Sequence, residues 1–383
     1  MHSFDFQHRT RIIFGADGLA SLGELASQTG AHRALLVSDR GVIAAGHTQR
    51  GVDALRSSDI EVTLFQDFGE NPTTDDVQLG VQAARACDPD LLIGLGGGSS
   101  MDCAKGINFI YTNGGAMRDY WGVGKARQPM LPMIAIPTTA GTGSETQSFA
   151  LISDAQTKVK MACGDKKAAC VAALLDPVLT LTQPVQVTAL TGIDALAHAL
   201  ETYVTTSRTA MSRMFSREAW RLLAGNIATI FEDPSDLAAR GGMQMGACLA
   251  GLAIENSMLG ATHALANPLT AEYGVVHGQA VGLMLPHVLR FNGEQCASWY
   301  LELMESRGVS PDNGDFKPGV DRLAAWVAEL LVKAGLPQRL TDCGVERSIL
   351  SKLSQDAAQQ WTAGFNPRPV TATQLYELYC QAF

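Results

Sequence analysis

The sequence at residues 91–102 reads LLIGLGGGSSMD. Its apolar first half, LLIGL, is typical of a buried strand, and a helical pattern begins at about Ser100. A strand, a glycine-rich turn and a helix in this order indicate a parallel α/β sheet. Consecutive glycines also let backbone N–H groups approach a pyrophosphate, and the N-terminus of the helix adds a favourable dipole. The stretch therefore predicts an α/β fold with a phosphate-binding loop, with an ordinary tight turn as the alternative.

The loop departs from two common phosphate-binding motifs. Ser99 occupies the last position of a G-x-G-x-x-G pattern, and no Gly-Lys-Ser/Thr follows as it does in a Walker A loop. We expect Ser99 or Ser100 to cap the helix and also to donate a hydrogen bond to a phosphate oxygen.

The two halves of the chain differ in periodicity and predict two domains. In the first half, strands are expected at residues 34–38, 61–65 and 91–95, a helix at 74–86, and further strands or hairpins at 131–136 and 149–152. In the second half, helical periodicity covers residues 184–204, 211–231, 235–257, 278–291 and 320–334. The sequence thus predicts an α/β dinucleotide-binding domain at residues 1–182 and an all-α domain at residues 183–383.

Composition and charge narrow the functional classes. The 383 residues are 46% hydrophobic and 17% charged, so the chain can bury a sizeable core and is not a disordered protein. The net charge of -9 opposes binding to the phosphate backbone of a nucleic acid. We therefore expect a globular protein whose partners do not include nucleic acid.

The N-terminus and the cysteines indicate a cytoplasmic protein. Residues 1–14 lack the apolar core of a signal peptide, and no stretch offers the ~20 clean apolar residues of a membrane span. The eight cysteines include no C-x-x-C pair, which favours reduced thiols over a zinc ribbon or a disulfide framework. We expect no membrane partner. An apolar helical face at residues 243–254 predicts either the interface of a homodimer or higher homo-oligomer, or part of the core.

Several residues of the first half are candidates for binding a nucleotide. Asp39 ends the strand at residues 34–38, where a carboxylate accepts from a ribose 2′-OH and repels a 2′-phosphate. A turn or cap residue is the alternative. Because Asp39 precedes the glycines, we expect acid and loop to meet across neighbouring strands. The hydroxyl-rich loop PTTAGTGSE at residues 137–145 offers further donors, and Lys160 offers a positive charge.

A set of metal-binding side chains lies in the helical half. Asp194 and His198 are four residues apart on a predicted helix, so their side chains share one face. His263 and His277 stand among apolar and small residues, where a histidine needs a partner that a shared ion would supply. The four residues predict a His₃Asp metal site. The alternative is a helix pair with two core histidines bonded to carbonyls, and His287 is a fifth candidate ligand.

Five motifs together resemble the iron-containing (group III) alcohol dehydrogenase family. They are GGGSxxD at residues 96–102, PTTAGTGSE at 137–145, GIDALAHALE at 192–201, THALANPL at 262–269 and VVHGQA at 275–280. The segment NPRP at residues 366–369 also resembles the C-terminal signature of the family. The motifs occur in the family's order and cover nearly the whole chain.

The resemblance implies a fold, a metal site and a cofactor site. The fold is that of the dehydroquinate synthase-like, iron-containing alcohol dehydrogenases, with an α/β dinucleotide-binding domain followed by an all-α domain. The resemblance places the metal ligands at Asp194, His198, His263 and His277, with Fe²⁺ as the ion and Zn²⁺ as the alternative. It places the dinucleotide contacts at Asp39, Asn71, Gly97, Gly98, Ser99, Thr138, Thr139, Lys160 and Leu179. The retained Asp39 matches family members that prefer NAD to NADP.

Two departures from the family concern the substrate. Many members carry a histidine, thought to relay protons, where this sequence has Asn267, an amide that does not take up a proton at neutral pH. Ile254 stands where relatives often place a phenylalanine that lines the substrate pocket. Both changes argue against the usual short-chain alcohols. Phe149 and Trp361 are further candidates for the lining of the pocket.

The residues and the resemblance together predict a metal-dependent, NAD-linked alcohol dehydrogenase. We expect reversible hydride transfer between a metal-bound alcohol and nicotinamide, with an aldehyde or ketone as the oxidised partner. One alternative is an NAD-using lyase of the dehydroquinate synthase kind, which has the same fold. Another is a reductase for a hydroxy-acid or another functionalised aldehyde.

Overall fold

The computed structural model describes residues 3–306 and 316–383, without the side chains of residues 316–318. The chain separates into two compact units, Gln7–Gln183 and Pro184–Phe383, and residues 3–6 belong to the second unit. The predicted division assigns residues 3–6 to the α/β domain. In the structure the ring of Phe6 contacts that of Phe215 with centroids 5.7 Å apart, which explains why these residues lie with the helices.

The first unit alternates strands and helices. Its strands are β1 (Arg11–Phe14), β2 (Arg33–Val37), β3 (Glu61–Phe65), β4 (Leu91–Gly96), β5 (Gly122–Val123), β6 (Met133–Pro137), β7 (Phe149–Ser153), β8 (Lys160–Gly164) and β9 (Ala172–Leu175). Its helices are α1 (Leu22–Gln28), α2 (Arg40–Ala44), α3 (His47–Arg56), α4 (Thr74–Cys87) and α5 (Gly98–Asn113). Short 3₁₀ helices cover Gly18–Ser21, Met117–Tyr120, Ser144–Thr146, Lys166–Ala168 and Pro177–Thr180.

Six strands form one parallel sheet, and this confirms the predicted α/β fold. The strand order is β1-β9-β6-β4-β2-β3, and every pair in it is parallel. A smaller sheet has the order β5-β8-β7, in which β7 and β8 form an antiparallel hairpin. Strands β1 and β9, which the sequence analysis does not identify, are adjacent at one edge of the large sheet.

The large sheet is covered on both faces. On β2, Leu35 and Val37 pack into a core with α4 and α5, whereas Ala34 and Leu36 pack into a second core with α1 and α3. A strand that is buried on both faces needs apolar residues at every position. This burial explains why β2 and β4 are recognisable in the sequence as continuous apolar runs.

A fully buried ammonium group holds the loop that follows β6. Lys105 of α5 donates to both oxygens of Ser144 and to the carbonyl oxygens of Gln147 and Phe149, at 2.6–3.0 Å. Ser144 Oγ in turn donates to Asp102 Oδ1 at 2.8 Å. Burial raises the pKa of Asp102, and Lys105 opposes that shift. These bonds compensate for removing the ammonium group from water and fix the path of residues 144–149.

The second unit is built from helices, as predicted. They are α6 (Val185–Val204), α7 (Ala210–Glu232), α8 (Leu237–Ser257), α9 (Ala261–Tyr273), α10 (His277–Glu305), α11 (Phe316–Lys333), α12 (Leu350–Ala358) and α13 (Ala372–Ala382). Short 3₁₀ helices cover Leu340–Cys343, Arg347–Ile349 and Trp361–Phe365. The sequence analysis does not identify α9, which contains Pro268, or α12 and α13.

Helix α8 is long and apolar enough to cross a membrane, but it lies in the core of this unit. Of its most apolar 18-residue window, 72% is buried, and the helix packs against α6 and α7. Met243 and Ile254, at the two ends of the predicted apolar face, are 1% and 4% exposed. The face at residues 243–254 is therefore core, which was the second of the two interpretations of this segment.

Candidate metal centre and nucleotide site

The candidate metal centre is built around Asp194, in the middle of α6. Its side chain is 6% exposed, and His198 lies one helical turn later on the same face. His198 Nε2 is 3.4 Å from Asp194 Oδ1. The helix thus presents a carboxylate and an imidazole side by side, as the four-residue spacing predicts.

Two further helices bring imidazoles to the same carboxylate oxygen. His263 Nε2 from α9 lies 3.3 Å from Asp194 Oδ1, and His277 Nε2, at the first residue of α10, lies 3.7 Å from it. The donor atoms of Asp194, His263 and His277 all lie within 4.8 Å of one another. His198 and His263 stack with ring centroids 4.8 Å apart. One carboxylate and three imidazoles fit a divalent transition-metal ion.

The electrostatics of this cluster favour a cation. Burial acts to raise the pKa of Asp194, but the three histidines outweigh it and hold that pKa well below its usual range. For His263, burial acts to lower the pKa, and the carboxylates of Glu201 and Asp194 outweigh it and raise the pKa to about 9. Two buried carboxylates therefore attract positive charge to the imidazole of His263, which lies between them.

Glu201 is a part of this centre that the sequence analysis missed. It lies on α6, three residues after His198, and is 3% exposed. Its Oε2 is 2.5 Å from His263 Nδ1, and its Oε1 accepts from the backbone N–H of Thr262 at 2.7 Å. The sequence did contain a signal for Glu201: it is an acidic residue at the end of a largely apolar helical run, and a buried charge needs partners.

Asn366, from the NPRP segment, holds the start of α9. No side chain of Gly260 can cap this helix, and Asn366 Oδ1 accepts instead from the N–H of Ala261 at 3.1 Å. The side-chain amides of Asn366 and Asn292 also bond to each other in both directions, at 2.7 and 3.0 Å. Asn366 and Glu201 together fix the helix that carries His263.

The other candidates of the helical half are not members of the metal-binding group. His287 is on α10, where burial and Arg290 lower its pKa to about 4, and within the described residues it joins no metal-binding group. Asn267 lies one turn after His263 and donates to Gln360 Oε1 at 3.0 Å. Ile254 is 4% exposed, and Trp361 begins a 3₁₀ helix.

The structure brings Asp39 and the glycine-rich loop together in the first unit. Strands β2 and β4 are neighbours, with Val37 opposite Gly94. Asp39 caps α2 through its Oδ1, which accepts from the N–H groups of Gly41 and Val42, and its Oδ2 accepts from Ser100 Oγ at 3.1 Å. The expected contact across neighbouring strands is thus present. Asp39 is also a cap residue, the alternative interpretation.

Neither serine of the loop caps α5, contrary to the expectation. Gly97 occupies the N-cap position without a side-chain hydrogen bond, and Gly98 and Ser99 lie in the first turn. Ser99 Oγ accepts from the N–H of Asn71 at 3.2 Å, while Ser100 bonds to Asp39. A helix of 16 residues therefore begins without a side-chain cap, which leaves its first N–H groups available for a phosphate group.

The remaining nucleotide candidates surround this loop, except for one. Lys160 Nζ donates to Asn71 Oδ1 at 2.9 Å, and the N–H of Thr138 donates to the carbonyl of Gly96 at 2.9 Å. A side chain at Gly96, where φ is +151°, would collide with Ser100. Thr139 is half-buried beside Gly97. The side chain of Leu179, by contrast, lies in the core.

Known proteins similar to this chain share one family. The family described as iron-containing alcohol dehydrogenase matches residues 9–177, and the C-terminal domain of the Fe-containing alcohol dehydrogenase family matches residues 188–383. The chain is 32% identical over 382 residues to 1,3-propanediol dehydrogenase of Citrobacter freundii, with 99% of each protein covered. It is 30% identical over 366 residues to NAD-dependent methanol dehydrogenase of Bacillus methanolicus, with 96% of each covered. The crystal structure of a 1,3-propanediol oxidoreductase matches with a TM-score of 0.96, 31% identity and full coverage of both chains.

The close approach of α10 to α6 gives a prediction about the geometry of the metal centre. A Cβ atom at Gly278, next to His277, would collide with the carbonyl oxygen of Leu190 on α6. We expect Gly278→Ala to push the start of α10 away from Asp194, to destabilise the protein by about 1–3 kcal/mol and to weaken metal binding. Urea unfolding and metal titration measure these two effects.

Gly225→Ala is the matched control for this substitution. Gly225 is also inside a helix, α7, and no atom from beyond the adjacent backbone of its own helix lies within 4 Å of the position of its Cβ. Alanine there is expected to leave metal binding unchanged and to stabilise the protein slightly, by about 0.5–1 kcal/mol. Equal behaviour of the two variants would contradict the role of Gly278.

Proposed function

Because the chain belongs to the iron-containing alcohol dehydrogenase family and is a metal-dependent, NAD-linked alcohol dehydrogenase, we propose that Asp194, His198, His263 and His277 hold its metal ion. One observation carries this proposal: a single oxygen of Asp194 faces the Nε2 atoms of all three histidines at 3.3–3.7 Å. The iron-type ion follows from the family, and we propose Fe²⁺. Nitrogen and oxygen ligands also accept Zn²⁺. The alternative of a lyase with the same fold is excluded, because the matching family and the similar proteins are alcohol dehydrogenases.

The side chains of the metal centre have separate roles in the proposed reaction. When bound, the metal ion lowers the pKa of the alcohol oxygen, and the nicotinamide ring takes up hydride from the alcohol carbon. Asp194 stays ionised and supplies the one negative charge among the four ligands. His277 is the most exposed ligand, with 25% of its side chain accessible, and we propose that the substrate oxygen enters on its side. Asn267 cannot take the hydroxyl proton, which leaves through water, a ribose hydroxyl or another side chain.

We propose that the cofactor is NAD rather than NADP and that it binds along the loop between β4 and α5. The first turn of α5 faces the pyrophosphate, with Gly97, Gly98 and Ser99 as contacts. Asp39, held beside the loop by Ser100, bonds to the ribose 2′-OH and repels a 2′-phosphate. The further contacts we propose are Asn71, Thr138, Thr139 and Lys160, whereas Leu179 is not among them because its side chain lies in the core.

We propose that the substrate is a small alcohol or aldehyde with a second polar group. Asn267 lies one turn from His263, and its amide bonds to the amide of Gln360. Both side chains are half-buried, so this amide pair is accessible to a ligand. Amides donate and accept hydrogen bonds and therefore suit a hydroxyl or carbonyl group. This class includes the hydroxy-acid and functionalised aldehyde substrates that the sequence left as an alternative.

The cytoplasmic location and the homo-oligomer stay predictions from the sequence. The face at residues 243–254 no longer supports an oligomer, because it lies in the core.

Removal of the central carboxylate tests the proposed metal centre. Asp194→Asn keeps the shape of the side chain and removes its charge. We expect the purified variant to lose its metal, and NADH formation from alcohol and NAD⁺ to fall by about 1,000-fold, because several kcal/mol of transition-state stabilisation are lost. Metal analysis and NADH absorbance give the two readouts. His287→Gln, on α10 outside the cluster, is expected to keep both; normal metal content and turnover in Asp194→Asn would refute the proposal.

The charge of Asp39 gives a prediction about cofactor preference. Asp39→Asn keeps the Oδ1 acceptor for Gly41 and Val42, so α2 remains capped while the repulsion of a 2′-phosphate disappears. We expect kcat/KM for NADP⁺ relative to NAD⁺ to rise by about 10-fold. Asp67→Asn, a change at an exposed carboxylate of the same unit, serves as the control. An unchanged ratio in Asp39→Asn would exclude the ribose contact.

The amide of Asn267 gives a prediction about the substrate. We expect Asn267→Ala to lower kcat/KM for propane-1,3-diol relative to propan-1-ol by about 10-fold, the equivalent of one hydrogen bond. The two alcohols differ only in the second hydroxyl. Asn256→Ala removes a half-buried amide that bonds within α8 and should leave the ratio unchanged. The same fall for both alcohols would show that Asn267 does not bind the second polar group.

A further inference from the structure

The buried carboxylate of Glu201 contacts the Nδ1 edge of His263, and the Nε2 edge of the same ring faces Asp194. We propose that Glu201 is a positioning residue, which fixes the tautomer of His263 so that Nε2 presents its lone pair to the ion. This inference rests on the proposed metal centre and adds to it a residue that does not touch the metal.

The geometry gives each oxygen of Glu201 its own donor. Oε2 lies 2.5 Å from His263 Nδ1, and Oε1 accepts from the backbone N–H of Thr262 at 2.7 Å. On the other side of the ring, His263 Nε2 lies 3.3 Å from Asp194 Oδ1. The imidazole is therefore held between two carboxylates, and only its Nε2 edge faces the cluster of ligand atoms.

An ionised carboxylate selects one tautomer of the ring. A neutral imidazole carries one N–H and one lone pair, and the hydrogen bond made by one nitrogen decides which nitrogen can bind a metal. Glu201 has no proton to donate when it is ionised, so it requires the N–H at Nδ1 and leaves the lone pair at Nε2. Such hydrogen bonds from outside the ligand shell orient metal-binding histidines and raise their affinity for the ion.

Burial makes this role specific to a carboxylate. Glu201 is 3% exposed, and the ion pair that it forms within the described part of the chain is with His263. Both of its partners are hydrogen-bond donors, so both of its carboxylate oxygens must accept a hydrogen bond. Glutamine has the same shape but only one oxygen that accepts hydrogen bonds, so its NH₂ group must face either His263 Nδ1 or the Thr262 N–H.

Glu201→Gln separates positioning of the histidine from support of the helix. If the NH₂ group faces His263, the ring must carry its proton on Nε2, where it blocks the ion, while the bond to Thr262 is kept. We expect the dissociation constant for Co²⁺ or Zn²⁺, measured against a competing chelator, to rise by about 10- to 100-fold. We also expect the visible absorption bands of the Co²⁺ protein to shift.

Glu302→Gln is the matched control. Glu302 is a half-exposed carboxylate of the same unit that also accepts from two donors, Tyr203 Oη at 2.7 Å and Arg213 at 3.3 Å, and it touches no proposed ligand. Its amide variant should bind Co²⁺ like the wild type.

Two results would overturn the inference. One is Glu201→Gln with wild-type metal affinity and wild-type Co²⁺ bands. The other is a variant whose metal-free form is destabilised while its metal affinity is unchanged, because that would assign Glu201 to the support of α9 alone. Failure of the metal centre itself is distinguishable, since Asp194→Asn would then also keep its metal.

Discussion

The ionised carboxylate of Asp194, buried in α6, is the constraint on which the helical unit depends. A carboxylate removed from water stays charged only where positive charge or hydrogen-bond donors surround it. Three helices meet this need, because α6, α9 and α10 each bring an imidazole to the same oxygen. The starts of α9 and α10 are therefore fixed. Helix α10 begins at His277, and α9 begins where Glu201 and Asn366 accept from its first N–H groups.

The sequence predicted those parts of the fold whose local pattern and packing agree. Strands β2 and β4 are buried on both faces and appear as continuous apolar runs, so their positions are evident. Strand β1 has four half-exposed or exposed residues at the edge of the sheet, and the AALL of β9 suits a helix as well as a strand. Helix α9 contains Pro268, which usually ends a helix, and packing within the unit overrides this local preference. Such elements depend on contacts that are distant in sequence.

The same distinction separates the predictable and unpredictable parts of the candidate site. Asp194 and His198 could be paired from their spacing alone, and His263 and His277 stood out because the chain has few histidines. The contact of Asn267 with Gln360 joins residues 93 positions apart, and no local pattern announces it. The serines of the glycine-rich loop were expected to cap α5. Instead, Ser99 accepts a hydrogen bond from the N–H of Asn71 and Ser100 donates one to Asp39, because the fold brings these partners close.

The buried Lys105 has a consequence for how readily this chain can acquire new specificity. Three of the four oxygens that it binds belong to the main chain of residues 144, 147 and 149. The path of that segment is therefore tied largely through its main chain to a lysine on α5, and the side chains of Ser144 and Gln147 add hydrogen bonds to Asp102 and to the carbonyl of Thr142. Phe149, a candidate for the pocket lining, can change to other residue types without the backbone losing its bond to Lys105. Evolution or a directed library can exchange this side chain while the scaffold beneath it stays constant.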